Sequence, residues 1–306
     1  MRFYPLVIES FLTPRDLATA IGVSESSLKR WADEGFLQAT RTAGGHRRIS
    51  LSEAVRFIRE TRCTVVRPDI LGFGDVRFDA RLEPGYAGHA LLEALERDDQ
   101  KTARGLLLGE FLSGSSIAAI LDGSLRVALE KIGERWKDEP AGIVLEHRAV
   151  DTAVHALSTM RSAIPKPGAG APCAVGGSPS GDPFVLPSLG AAIVLAEAGY
   201  VEMNLGAESP IEAMLAAVDR YRPAIVWRSV TRIVPARAVE EDLLALAERV
   251  APWGGWVVVG GQSCPDPQAS IHARVRALAS MSDLARFARS LPGLVAEGDA
   301  GSSSSA

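Results

Sequence analysis

From Cys173 to Ser290 short apolar runs alternate with amphipathic stretches, and no other feature limits the fold of this chain as strongly. Strand signals near 173–176, 200–205, 223–228 and 255–260 are separated by helical signals at 187–198, 209–220 and 238–250, with a last helix near 281–290. Strands joined through helices form a parallel sheet covered on both faces, in a Rossmann-like or flavodoxin-like α/β layout. Such sheets take their ligands among the loops that follow the strands. Here those loops are "GSPSGDPFVLP", "NLGAESP", "RSVTRIV" and "GGQS". The first, at 177–187, offers one carboxylate (Asp182) and two serines, and no His, Cys or basic residue.

Upstream the periodicity changes. "PKPGAGAP" at 165–172 has the composition of a linker, and the segment before it is helical nearly throughout. Breaks near Gly114, Gly123 and Pro140 divide that segment into four helices, at 87–97, 99–112, 115–137 and 141–164, which make a four-helix bundle. Residues 68–84 lack a sustained period and read as a further linker, and "GDAGSSSSA" closes the chain as a low-complexity tail expected to be disordered. The boundaries are therefore 1–67, a linker at 68–84, a bundle at 85–164, a linker at 165–172, an α/β domain at 173–295 and a tail at 296–306.

With 306 residues, 47% of them hydrophobic and 23% charged, the chain is long enough for two or three globular domains. It has no apolar run of signal-peptide length and no window of eighteen apolar residues, so a soluble cytoplasmic protein without a membrane partner is expected. The three cysteines, Cys63, Cys173 and Cys264, lack metal-ligand spacing and read as reduced thiols.

Charge is uneven. Residues 1–70 hold 11 Lys/Arg against 8 Asp/Glu, a balance of +3, while the rest of the chain carries −7. An anionic partner should therefore meet the N-terminal segment. There, "FLTPRDLATAIGVSESSLKRWADEGFL" has helix-turn-helix spacing. Thr13 caps a helix that opens on Pro14, Gly22 ends it, and Ser24 caps a second helix whose buried face holds Leu28 and Trp31. Glu25, Ser26, Lys29 and Arg30 fall on the polar side of that second helix, suited to a major groove. In "RTAGGHRRIS" a Gly44-Gly45 hairpin turn precedes His46, Arg47 and Arg48, placed to reach phosphates, and Ser52 is expected to cap a third helix through Arg59.

Residues 10–60 resemble the DNA-binding domain of the MerR family of transcription regulators, with "TAGGHRRIS" as the most specific piece. The resemblance implies a winged helix-turn-helix that binds double-stranded DNA as a homodimer or higher homo-oligomer through Ser24, Ser26, Ser27, Lys29, Arg30, His46, Arg47 and Arg48. No long dimerisation helix with a cysteine-bearing loop, as in the metal-sensing members, is evident.

In the bundle, "ERWKDEPAGIVLEHRAVD" places Glu146-His147 ten residues after Trp136, across a turn at Pro140. This spacing resembles the bundle cap of light-sensing, cobalamin-dependent regulators of the CarH and LitR type. The resemblance implies adenosylcobalamin as cofactor, Trp136 and Glu146 above the corrin ring, and His147 as an upper cobalt ligand once the adenosyl group leaves. Ser229, Thr231 and Gly260-Gly261 likewise resemble the Ser-containing and Gly-Gly loops of the cobalamin-binding domain. Its D/E-x-H-x-x-G loop aligns with "DPFVLP": Asp182 takes the acidic position, Phe184 stands where the His is expected, and Pro187 where the Gly is expected. Phe has no lone pair for cobalt.

Three readings of that edge stay open: cobalamin bound without a lower His, a different planar ligand stacked on Phe184, or no ligand and a role in oligomerisation or protein contacts. The expected function is a MerR-like transcription regulator with a cobalamin-sensor-like module whose light response is altered or lost. The alternatives are a light-dependent photoreceptor repressor with non-standard cobalt ligation, and an antirepressor acting on a regulatory protein partner. An enzyme is not expected, because a mutase or methyltransferase would need a substrate domain for which no residues remain.

Overall fold

The computed structural model describes residues 10–74, 76, 87–136, 140–232, 234–264 and 271–291. Most of the 68–84 linker and the whole 296–306 tail lie outside the described residues. Contacts divide the chain into two compact units, Met1–Pro165 and Lys166–Ala306.

The first unit opens with β1 (Phe11–Leu12), α1 (Pro14–Ile21) and α2 (Glu25–Asp33). Thr13 and Asp16 form a reciprocal cap on α1: the Asp16 N–H donates to the Thr13 hydroxyl at 3.1 Å, and the Thr13 N–H to the Asp16 carboxylate at 2.9 Å. Those bonds from Thr13, and then Arg48 and Arg15 nearby, hold the Asp16 carboxyl below its ordinary range. Gly22, at φ 70°, ends α1, and the Ser24 hydroxyl accepts from the Ser27 N–H at 3.1 Å to cap α2. β2 (Thr40–Arg41) and β3 (Arg47–Ser50) form the wing, and β3 pairs antiparallel with both β1 and β2. α3 (Leu51–Thr61) is capped by Ser50, whose hydroxyl accepts from the Glu53 N–H at 3.2 Å. This corrects the expectation of Ser52: the chain turns helical directly out of β3, so Ser52 is already inside the first turn. Leu17, Ile21, Leu28, Leu37, Ile49, Phe57 and Ile58 form the small core, each at most 5% exposed.

The bundle consists of α4 (Ala87–Glu96), α5 (Gln100–Leu112), α6 (Ile117–Ile120), α7 (Arg126–Trp136) and α8 (Pro140–Ala163). The third helix of the sequence reading is broken by a π-helical turn at Leu121–Leu125, in which Gly123 leaves helical geometry (φ −99°, ψ −106°). Beside that turn the Ser124 hydroxyl donates to the Glu110 carboxylate at 2.7 Å, and burial raises the Glu110 pKa. Arg59 of α3 joins the two parts of this unit. It donates to the Phe111 carbonyl at 2.9 Å and lies 4.0 Å over the Phe111 ring.

The second unit runs β4 (Cys173–Gly177), α9 (Val185–Glu197), β5 (Val201–Asn204), α10 (Ile211–Tyr221), β6 (Ile225–Ser229), α11 (Ala236–Val250), β7 (Trp256–Gly260), β8 (Val275–Ala277) and α12 (Met281–Ser290). All five strands are parallel, in the order β5-β4-β6-β7-β8, so the α/β expectation holds. β8 is an addition. Three residues, "VRA", are too short and too polar to announce a strand.

Val175, Val226, Val257 and Val259 pack with Val218, Leu243 and Leu246 on the α10–α11 face. α9 is buried from Ser188 through Leu195, because it lies between the sheet and α12, and its all-round apolar composition follows from that position. The strand order is that of flavodoxin-like sheets. Its topological switch point falls between β4 and β6, so the loops after those two strands flank the crevice where a ligand would bind.

Candidate functional site

The basic face of the first unit is built on α2 and the β2–β3 wing. Ser24, Glu25, Ser26, Lys29 and Arg30 are exposed. Lys29 pairs with Glu25 at 2.9 Å and Arg30 with Glu34 at 4.0 Å, both one turn apart on the helix surface. Exposed pairs of that kind contribute only about 0.3–0.5 kcal/mol, so both cations can exchange partners for phosphate or base oxygens at small cost. Ser24 and Ser27 share a 2.9 Å hydroxyl contact and are engaged in capping, which leaves Ser26 as the exposed hydroxyl of the group that bears no cap.

On the wing, Gly45 at φ 77° turns the hairpin and His46 projects into solvent. Arg47 turns inward. It forms an ion pair with Asp33, donates to the Lys29 carbonyl at 3.5 Å and keeps only 21% of its side chain exposed, thereby fastening the wing to the end of α2. Arg48 is half-buried near Asp16. Arg41, opposite Arg47 on β2, is exposed. Sequence reasoning missed it because it stands ahead of the Gly-Gly turn, and only the strand pairing brings it beside the later arginines.

In the bundle, Trp136 ends α7, and its side chain lies outside the described residues. Glu146 and His147 are exposed on α8. As consecutive helical residues they point about 100° apart, and His147 shares its face with Ile143 and Val144, which are 53% and 62% exposed.

At the carboxyl edge of the sheet the predicted ligand residues come together, and the carboxylate among them is already used. Asp182 is fully buried. One of its carboxylate oxygens accepts from the Thr231 N–H at 2.6 Å and the Arg232 N–H at 3.1 Å, and the other from the Phe184 N–H at 3.2 Å. Its carbonyl accepts from the Glu208 N–H at 3.1 Å, so this single residue ties the loops after β4, β5 and β6 together. Phe184 precedes α9 and is 44% exposed. Pro187 lies in the first turn of α9, where a missing N–H costs no helical hydrogen bond.

Ser229 is buried at the end of β6, in register with Gly260. The Thr231 hydroxyl is buried and has no hydrogen-bond partner among the described residues. Gly261, at φ 119°, is required by the protein itself, since a side chain there would begin 2.3 Å from the Val230 carbonyl oxygen. Burial pushes the Cys173 and Cys264 thiols up to about 11, far from a ligating thiolate. A corrinoid that needs a nitrogen ligand from the loop after β4 does not fit this donor set: Phe184 offers no lone pair, and the Asp182 carboxylate is taken by three backbone donors.

Residues 11–62 match the helix-turn-helix domain family. Over 261 residues the chain is 27% identical to the HTH-type transcriptional repressor CarA of Myxococcus xanthus, covering 81% of this chain and 85% of that one. It shares the fold of the Methanosarcina barkeri monomethylamine corrinoid protein, with a TM-score of 0.52 and 15% identity over 65% of this chain and 95% of that one.

A helix-turn-helix domain comes first, and a module of the cobalamin-binding fold follows it. Among the described residues no helix is long and apolar enough to cross a membrane.

Proposed function

We propose that the protein is a transcription regulator that binds double-stranded DNA as a homodimer or higher homo-oligomer, and that its C-terminal module has an altered or lost response to cobalamin and light. The observation that carries this reading is the exposed polar face of α2 beside the wing, in a chain similar over most of its length to a transcriptional repressor. In such a complex α2 enters the major groove with Ser26, Lys29 and Arg30 toward base edges and phosphates, while Arg41, His46 and Arg48 follow the backbone. Arg47 sets the angle between wing and helix through Asp33. The reading is of a regulator and not an enzyme, supported by the similarity to a transcriptional repressor and by the Asp182 carboxylate at the sheet edge being bound to the protein's own backbone.

Gel-shift titrations at two salt concentrations test it. Replacing Arg47 and Arg48 together by Ala should weaken binding to every sequence by about tenfold or more and flatten the salt dependence. Lys29→Ala and Ser26→Ala should instead change sequence preference. Unchanged affinity in the double variant would overturn the assignment of the wing.

A further inference from the structure

The switch-point crevice holds a residue that the DNA-binding reading does not use. Trp227, in the middle of β6, stands in register with Gly176 of β4, across the boundary at which the strand order reverses. It is 2% exposed. A side chain at position 176 would begin 2.0 Å from the indole ring, so the ring occupies the space that any other residue there would fill.

The ring is also aimed. Its Nε1–H donates to the Ser188 hydroxyl at 3.2 Å, the Ser188 hydroxyl donates to the Asn204 side-chain oxygen at 2.8 Å, and that oxygen also accepts from the Gly206 N–H at 3.0 Å. Three loops or elements, α9, the end of β5 and β6, thus meet around one indole. At the mouth of the same crevice, the Asp182 carboxylate bridges to the loop after β6.

We propose that Trp227 is a built-in occupant of the ligand crevice. The indole fills the volume between α9 and the sheet that a bicyclic aromatic group of benzimidazole or indole class would take on entering from the carboxyl edge, and it supplies the N–H donor that fixes such a group. The module is therefore held in one closed arrangement by the chain itself, and a ligand that needs this slot has no room in it. This rests on the reading of the second unit as a modified corrinoid-type module, and it is independent of DNA binding. For the same reason, Phe184→His with Pro187→Gly does not create a corrinoid site while Trp227 remains.

The test uses the full chain. Trp227→Ala should leave a cavity on the order of 150 Å³ with the Ser188 hydroxyl at its wall, a size that takes up small aromatic molecules. We expect the melting temperature of the second unit to fall by about 10 °C. Millimolar indole or 5,6-dimethylbenzimidazole should restore several degrees of it and leave the unsubstituted protein unmoved. Adding Ser188→Ala should weaken the rescue by removing the acceptor. Trp256→Ala, at a site outside the crevice, should show no rescue.

A rise in the melting temperature of the unsubstituted protein with either ring, or no rescue of a folded Trp227→Ala variant, would overturn the proposal. If that variant does not fold, hydrogen exchange at the Trp227 indole N–H of the unsubstituted protein decides: slow exchange supports a filled crevice, and exchange as fast as at an exposed indole contradicts it. Failure to bind DNA in gel shifts would refute the regulator reading and leave the rescue result standing.

Discussion

The α2–wing face and the carboxyl edge of the sheet both gather hydroxyls and charged groups, yet they commit them differently. On α2, Lys29 and Arg30 hold only exposed neighbours one helical turn away, and Ser26 bears no cap. At the sheet edge Asp182 spends its carboxylate on three backbone N–H groups, the Gly261 backbone is pressed against the Val230 carbonyl, and Trp227 closes the crevice beneath. The composition of a site is thus a poor guide to whether it can bind. What decides is whether its groups are still available once the fold has taken the bonds it needs.

The sharpest break of this comparison is Asp182→Ala. If the carboxylate serves the fold, its removal leaves three loop donors without their acceptor and should cost about 3 kcal/mol in chemical denaturation of the second unit. A loss below about 1 kcal/mol would mean that the residue was held for a ligand instead. A smaller effect is expected on the other face. Arg47→Lys keeps the charge and loses the planar fork that reaches Asp33 and the Lys29 carbonyl, so DNA affinity should fall severalfold with an unchanged salt slope. A slope reduced by about one would show that Arg47 itself contacts phosphate.

The smallest effect is expected at Thr231. Its buried hydroxyl has no partner among the described residues, so Thr231→Val should be neutral to slightly stabilising, within about 0.5 kcal/mol, by thermal melting. A clear destabilisation would reveal a bonded water or ligand at the edge and would reopen the crevice as a site.

Much of this architecture is legible in the residues. Thr13, Pro14, Gly22 and Ser24 act locally through caps and one left-handed turn, and the alternation from Cys173 onward fixes the parallel sheet, because apolar periodicity follows burial directly. The wing hairpin follows from Gly44-Gly45 in the same way.

What escapes the sequence is non-local. Nothing near Ser50 distinguishes it from Ser52 as the cap until β3 is seen to run straight into α3. Gly123 looks like a simple break and is instead part of a π-helical turn, beside which Ser124 bonds the distant Glu110. β8 has too few apolar residues to declare itself. The role of Asp182 depends on N–H groups 49 and 50 residues downstream, and the role of Trp227 on a glycine in a neighbouring strand. One signal was present: a lone Trp in the otherwise aliphatic start of a central strand, "IVW", with "VGG" in the strand beside it, marks a large side chain facing a missing one.

The central claim is that this regulator binds DNA without control by a corrinoid. The most direct measurement is the affinity of the full chain for a double-stranded DNA site that the chain itself has selected from a random pool. It should be titrated at fixed salt with and without saturating adenosylcobalamin, in the dark and after green light. The account predicts the same dissociation constant, within about twofold, under all four conditions. A change of tenfold or more on adding the corrinoid in the dark, reversed by light, would contradict it.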